Sequence, residues 1–577
     1  MTDELLQERL AGLDEALEQE LERWNAAGLA VGILVGDELR YAKAVGYRDF
    51  GEKLPLTTNT LIPIASNTKL MTAVACGMLV EEGKLTWDQP VKRSVSQIEF
   101  FNDHLNSNVS LRDMLAHRTG ITRHDQIWYK TSFTRRELFE RIRSLEPQAP
   151  LRTQYIYNNL MYAAAGYIVE LLTGQTWEEF VTSRIFKPLG MERSCLSVPE
   201  SRKDSDHAIP YGEHRDSFEL QRLPDDEQIV GAAPAGAAIT SIEEIANWMA
   251  TVLNKGKFKG EQLIPASIFE ATLHPALATP NTLAETKGFW ENLNMFAGMG
   301  RTIHVYRGNL LAMHGGYLPA FHTQVSFLPK ENIGLAAFVI GDHAGSLANI
   351  LTYNICERLL GLNQTPWSDR LIPDRLAAKE ALKKRREGAA AASESKGSPA
   401  HPLEDYVGDF EDEMYGIVRI TLDTTLRFQF GLFQAPLTHV HYERFDTPDD
   451  EHFGKYSLNF FTNSGGDSDR LFTNLDGAEV AFVRKPATVP EETLRKLAGQ
   501  YKLPDNNTIE VIYRATGEFV ITRLQQAEMK LVPYKELTFL FKDSPSLSFR
   551  FMLENDEPAA MEMIDPSGTL SFPKVTS

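Results

Sequence analysis

Cysteine is scarce in this chain. Cys76, Cys195 and Cys356 stand far apart among 577 residues. Their odd number and wide spacing argue against a disulfide framework, and no close pair offers a thiolate metal site. An excess of positive charge is also missing: 59 Lys and Arg face 78 Asp and Glu, for a formal net charge of −19. Nucleic acid and anionic membrane surfaces both need a basic footprint, so neither is an expected partner. No apolar run reaches the ~20 residues of a membrane span. The stretch Met1 to Trp24 has neither the basic start nor the apolar core of a secretory signal. The closing Lys574-Val575-Thr576-Ser577 is no retention or lipidation signal. These absences together point to a cytoplasmic location.

What is present is an ordinary globular composition, 43% hydrophobic and 24% charged, in a chain long enough for several domains. Leu6, Leu10, Leu13, Leu17, Leu21 and Trp24 recur at three- and four-residue spacing, which predicts one amphipathic helix. Leu29 to Val35 and Glu38 to Val45, separated by Gly36-Asp37, read as a β-hairpin. His322 to Leu328 and Gly334 to Ile340 read as two more strands, followed by a helix over Ser346 to Leu360. Residues 1–365 are therefore expected to form an α+β domain, an antiparallel sheet flanked by helices. Residues 366–400 run through a Lys/Arg-rich stretch into an Ala/Ser/Gly tail, the texture of a linker. From residue 401 the pattern is all-β. Leu403, Tyr406, Gly408 and Phe410 are echoed by Leu494, Leu497, Gly499 and Tyr501 at a constant offset. The echo predicts two small β-barrels, 401–486 and 487–577.

Three short motifs carry chemistry. Ser66 and Lys69 form Ser-x-x-Lys at the start of a helix read over Asn67 to Glu82 and stopped by Gly83. Free N–H groups at a helix start favour negative charge. A lysine one turn on, once buried, loses its proton readily and can accept one from the serine hydroxyl. Chance alone yields about two such matches in a chain this long. A second does occur at Ser393 to Lys396, in low-complexity sequence with no helix start. Tyr157-Asn158-Asn159 precedes an apolar helix over Met161 to Leu172. A tyrosine whose pKa is lowered by nearby cations can shuttle protons, and Asn159 offers both an amide donor and an acceptor. The plainer reading is a capping Asn beside a core tyrosine. His314-Gly315-Gly316-Tyr317 lies between two strand-like runs, where glycine lets a substrate approach the backbone. Taken singly it reads as a turn.

Taken together, in this order and spacing, the three motifs resemble the class C β-lactamase/penicillin-binding-protein family. Leu111 to Ile121 and Ala233-Pro234-Ala235-Gly236 look like the family too, and the resemblance covers roughly residues 20–360. It implies a serine hydrolase or acyl-transferase with no cofactor and no metal, acting on a small-molecule or peptide acyl substrate. Ser66 would be the nucleophile, Lys69 its base and Tyr157 the proton relay. Asn159, His314, Gly315, Gly316 and Tyr317 would bind substrate, with the backbone N–H groups of Ser66 and Tyr317 as oxyanion hole. Drug-hydrolysing members carry Lys-Thr-Gly where this chain has His314-Gly315-Gly316. A histidine is largely neutral at pH 7. The substitution favours ester, amide or thioester chemistry over β-lactam destruction, as in the esterase, D-aminopeptidase and transesterase branch. A slowly acylating penicillin sensor and a D-amino-acid peptidase are the alternatives. The C-terminal half resembles lipocalin-like barrels, notably at Leu437 to Tyr442. His439 and His441 share a strand face there without a third metal ligand.

Overall fold

The computed structural model describes residues 2–225, 229–392, 397–463, 466–523, 528–541, 544–565 and 567–575. The second Ser-x-x-Lys, Ser393 to Lys396, lies outside the described residues. The amphipathic start forms two helices rather than one, α1 (Asp3–Leu10) and α2 (Leu13–Arg23). Gly12 breaks them at φ 72°, a conformation that suits glycine. The spacing still serves its purpose, because Leu6, Leu13, Leu17 and Trp24 all reach the core.

The hairpin follows as β1 (Gly28–Val35) and β2 (Glu38–Asp49), turning at Gly36-Asp37. Helices α3 (Thr68–Glu81), α4 (Asn159–Thr173) and α5 (Ile242–Leu253) come next among the helices that shape the site. Strands β3 (Asn292–Ala297), β4 (Thr302–Tyr306), β5 (Asn309–Leu318), β6 (Phe321–Leu328) and β7 (Ile333–Ile340) complete the sheet. Its antiparallel order is β3-β4-β5-β6-β7-β1-β2, with two-residue strands at both edges. Helix α6 (Leu347–Leu360) joins α1 and α2 on one face. Helix α5 covers the other: a Cβ at Gly32 would meet Ile242 at 2.7 Å, so glycine is what lets the helix sit there. Central strands β1 and β7 are thus buried on both sides, which explains their nearly unbroken apolar sequence. The arrangement is α+β, as expected.

Much of the expected linker is helical instead. Helix α7 spans Trp367–Ala392. Trp367 is buried beside Tyr306 and Tyr353, and Arg375 and Lys379 pair with Glu213 at 2.5 and 2.7 Å. The stretch reads as a linker because the acid it meets lies some 160 residues earlier, out of reach of local pattern. The chain divides into two compact units, Met1–Ala392 and Ser393–Ser577.

Among its described residues the second unit holds two antiparallel sheets, of nine and eight strands, rolled into near-closed barrels. The eight-stranded one is bridged end to end by Tyr501 and Lys574. The repeated residues do the same local job in each. Tyr406 and Phe410, like Leu497 and Tyr501, are buried where the first strand begins, at Gly408 and Gly499 respectively. No helix among the described residues is long and apolar enough to cross a membrane.

Candidate active site

Ser66 sits in a single 3-10 turn, Ala65–Asn67, that leads into α3. Ala65 holds φ 47°, a strained value for a residue with a Cβ, in keeping with the strain that functional turns store. Every residue of α3 from Thr68 to Leu79 is buried, so Lys69 is enclosed with its charge. Its Nζ lies 3.0 Å from Ser66 Oγ, 2.8 Å from Asn159 Oδ1 and 2.7 Å from the Ala235 carbonyl. Among the described residues no carboxylate is within salt-bridge range of it, and the rings of Tyr157 and Tyr162 flank it at 4.8 and 5.2 Å. Burial, and then the charge of Arg123, push its pKa well below that of a free lysine, while Asp125 pulls the other way. The neutral amine is favoured.

Tyr157 Oη donates to Ser66 Oγ at 2.8 Å. Its pKa is raised by burial, not lowered by cations as the sequence reading assumed. The Ser66 hydrogen bond and Arg123 oppose the shift without reversing it. The phenol therefore works as an O–H group.

The Leu111 to Ile121 stretch supports this tyrosine. Ser110 and Asp113 form a reciprocal cap on a short helix, and Arg118 and Arg152 clasp the fully buried Asp113 at 2.6 and 2.8 Å. That fixes His117, whose Nδ1 accepts from the Asn158 backbone at 3.0 Å and whose ring packs 4.3 Å from Tyr157. Asn158 in turn caps α4 through Met161 N–H. The second family-like stretch supplies the Ala235 carbonyl on Lys69 and the Pro234 carbonyl on Thr72.

The third motif lies on β5 where it overruns its neighbour. Thr302, the first residue of β4, pairs with Met313, so among the described residues His314 to Leu318 pair with β6 alone. Asn67 Nδ2 donates to Thr323 Oγ1 at 2.9 Å, and that hydroxyl donates to the Ile64 carbonyl at 3.0 Å. These bonds staple the strand edge to the Ser66 turn. Gly316 lies between: a Cβ there would meet Ile64 O at 2.2 Å and Thr323 Oγ1 at 2.4 Å.

A cavity of about 550 Å³ opens at Ser66, and Tyr157, Asn159, Gly315, Gly316 and Tyr317 line it. Lys69 lies beneath it. His314 does not line it. The residue borders a small separate void with Asn67 and Arg301, its ring lies 6.1 Å from that of Tyr157, and its Nδ1 is 2.7 Å from the Gly315 carbonyl. Burial, and then Lys69, push its pKa down to about 3 even though part of the residue keeps some surface, so it stays neutral. Among the cavity-wall residues that the motifs did not reveal are Arg123, Asp125, Trp128 and Tyr129. They follow directly on the family-like stretch and pack a cation, an acid and two aromatics into seven positions, a signal without periodicity. Among the described residues, no three His, Cys, Asp or Glu are grouped to hold a metal ion.

Unguisins hydrolase ungD′ of Aspergillus campestris is 26% identical over 429 residues, 71% of this chain and 77% of that protein. Unguisins hydrolase ungD of Aspergillus violaceofuscus is 24% identical over 513 residues, 83% of this chain and 84% of that protein. The octameric penicillin-binding protein homologue from Pyrococcus abyssi is alike in fold, with a TM-score of 0.55 at 20% identity, covering 91% of this chain and 99% of that one. A domain of unknown function, DUF3471, matches residues 392–484. The Beta-lactamase family model matches residues 13–357, more than half of the chain, and the chain belongs to that family.

Proposed function

We propose that this protein is a serine hydrolase that forms an acyl-enzyme at Ser66 and acts on ester or amide bonds of apolar, peptide-like substrates. One observation carries the reading: Ser66 Oγ lies within hydrogen-bonding distance of both a buried, charge-averse amine and a phenol. Neutral Lys69 takes the Ser66 proton as Oγ attacks the carbonyl carbon. The oxyanion forms against the backbone N–H groups of Ser66 and Tyr317. Tyr157 then gives its proton to the leaving group and recovers one from Lys69. Water attacks the acyl-enzyme by the reverse relay, and the acid is released. Neutral His314 supplies no cation for a substrate carboxylate. Trp128, Tyr129, Ile229, Leu318 and Pro319 give the cavity an apolar wall that suits hydrophobic acyl or peptide side chains. The hydrolase names of the two Aspergillus relatives point the same way.

A fluorophosphonate probe with a substrate panel tests the proposal. Wild type is expected to label and Ser66→Ala is not. Nitrophenyl esters and amides of apolar amino acids, D and L, should turn over faster than penicillins. Equal labelling of Ser66→Ala overturns the reading. A burst without steady turnover on every substrate indicates a slowly acylating sensor instead.

A further inference from the structure

Asp125 opens a short helical turn, Asp125–Trp128, at the wall of the cavity. Its two oxygens are used differently. Oδ1 accepts from Asn159 Nδ2 at 3.2 Å and from Trp128 Nε1 at 2.9 Å. Oδ2 accepts from Arg123 Nε at 2.8 Å, and that guanidinium lies 5.2 Å from the centre of the Tyr157 ring. One carboxylate thus touches the supports of both Lys69 and Tyr157.

We propose that Asp125 is a positioning residue that locks the Asn159 amide with its oxygen toward Lys69, and so keeps the Lys69 lone pair free for the Ser66 proton. The proposal rests on the reading of Lys69 as the base for Ser66. A carboxylate only accepts hydrogen bonds, so the Asn159 group facing it must be the NH2 and the group facing Lys69 must be the oxygen. Lys69 then donates to Asn159 Oδ1 and to the Ala235 carbonyl, as the 2.8 and 2.7 Å distances record. Both are donor positions of the amine, and its lone pair is left for Ser66. A neutral amine also accepts. With Asp125 gone, a flipped Asn159 can point Nδ2 at Lys69 and occupy the lone pair that the reaction needs. The protein pays for a half-buried acid in the substrate cavity, and this lock gives that acid a purpose.

The charge of Asp125 adds a second signature. Lys69 is surrounded by Ser66 in the turn before its helix, Asn159, Tyr157 and Tyr162 around α4, and the Ala235 carbonyl. His117 and His314 lie nearby and are held neutral by burial. Among the described residues, Arg123 and Asp125 are the charged groups acting on Lys69, with opposite signs. Removing the acid lowers the pKa of Lys69 and removing the cation raises it.

The test is steady-state kinetics of the full chain on a nitrophenyl ester. Asp125→Ala is expected to lower kcat on the order of 10-fold or more, as misplaced catalytic groups do. Asp125→Asn keeps an Oδ1 acceptor for Asn159 and Trp128, and should stay within about threefold of wild type while its acid limb moves to lower pH. Arg123→Gln should move that limb to higher pH. In an Asn159→Ala background, Asp125→Ala should cost nothing further, because its effect passes through the amide. A folded Asp125→Ala with kcat within twofold of wild type overturns the proposal, and so does full additivity with Asn159→Ala. Should Asp125→Ala fail to fold, Asp125→Asn decides: an acid limb that moves down supports the lock, and one that stays or moves up sinks it. Ser66→Ala separates the two readings. If it retains activity, the function proposed above fails, whereas a dead Ser66→Ala beside an unaffected Asp125→Ala defeats the lock alone.

Discussion

The Tyr157 hydroxyl donates to Ser66 Oγ at 2.8 Å, and burial keeps that phenol protonated. A group in this state serves best by handing its proton to a departing atom. An amine leaving group needs that proton and a nitrophenolate does not. Tyr157→Phe is therefore expected to lower kcat on amides by roughly 10²–10⁴ and on nitrophenyl esters by much less. Parallel kinetics on a matched ester and amide check this. Equal losses on both would leave Tyr157 a packing role only.

Lys69 sets the acid side of the pH profile. Its proton must be absent for Ser66 to be activated, and burial lowers its pKa well below the usual lysine range. Activity should rise with pH as this one group deprotonates, and should not fall again near pH 10 through Tyr157, whose pKa moves up. No inflection near ~6.5 is expected from His117 or His314, since burial holds both neutral. Lys69→Arg, which cannot deprotonate in this range, should show no such rising limb and lose most of kcat. The log kcat/KM profile from pH 5 to 10 checks all three points.

The same burial makes a stability prediction of definite sign. In the unfolded chain a lysine keeps its proton up to ~10.4. In the folded protein Lys69 gives it up earlier. Between the two pKa values the unfolded state binds more protons, so wild-type stability climbs with pH. Lys69→Met lacks this dependence. Its stability relative to wild type should be highest at the low-pH end of that window and decline toward pH 10, by up to ~1.4 kcal/mol per pH unit. Urea unfolding of both proteins at pH 7 and 9 measures the difference.

The sheet, the α3 start and the hairpin were legible because their apolar runs have a local period. The Ser66, Lys69, Tyr157 and Asn159 cluster was legible because each residue sits at a helix start with little freedom to point elsewhere. What escaped was settled by distance along the chain. Glu213 turns part of the presumed linker into a packed helix, and nothing near residue 375 announces it. The direction of the Tyr157 pKa shift depends on how deeply His117, Lys69 and Tyr155 enclose the ring, which spacing does not encode. The strength of the His314 pKa shift escaped for the same reason, since burial and Lys69 produce it. Its ring lies 6.1 Å from that of Tyr157, while Gly315, Gly316 and Tyr317 line the cavity.

The two glycines of that motif should behave differently. A Cβ at Gly315 would find Gln324 Oε1 at 3.1 Å, the movable end of a side chain. A Cβ at Gly316 would strike the Ile64 carbonyl at 2.2 Å, and that backbone also accepts from Asn67 and Thr323. It can yield only by moving the turn that carries Ser66. Gly316→Ala is expected to cost at least about 1–3 kcal/mol of stability, as overpacking does. It should also lower kcat far more than KM, because the displaced group is the nucleophile rather than the apolar wall. Gly315→Ala should stay close to wild type in melting temperature and kcat. Thermal unfolding and ester kinetics on the pair decide the matter: equal behaviour would mean that the strand edge is not stapled to the Ser66 turn as the Thr323 and Asn67 bonds indicate.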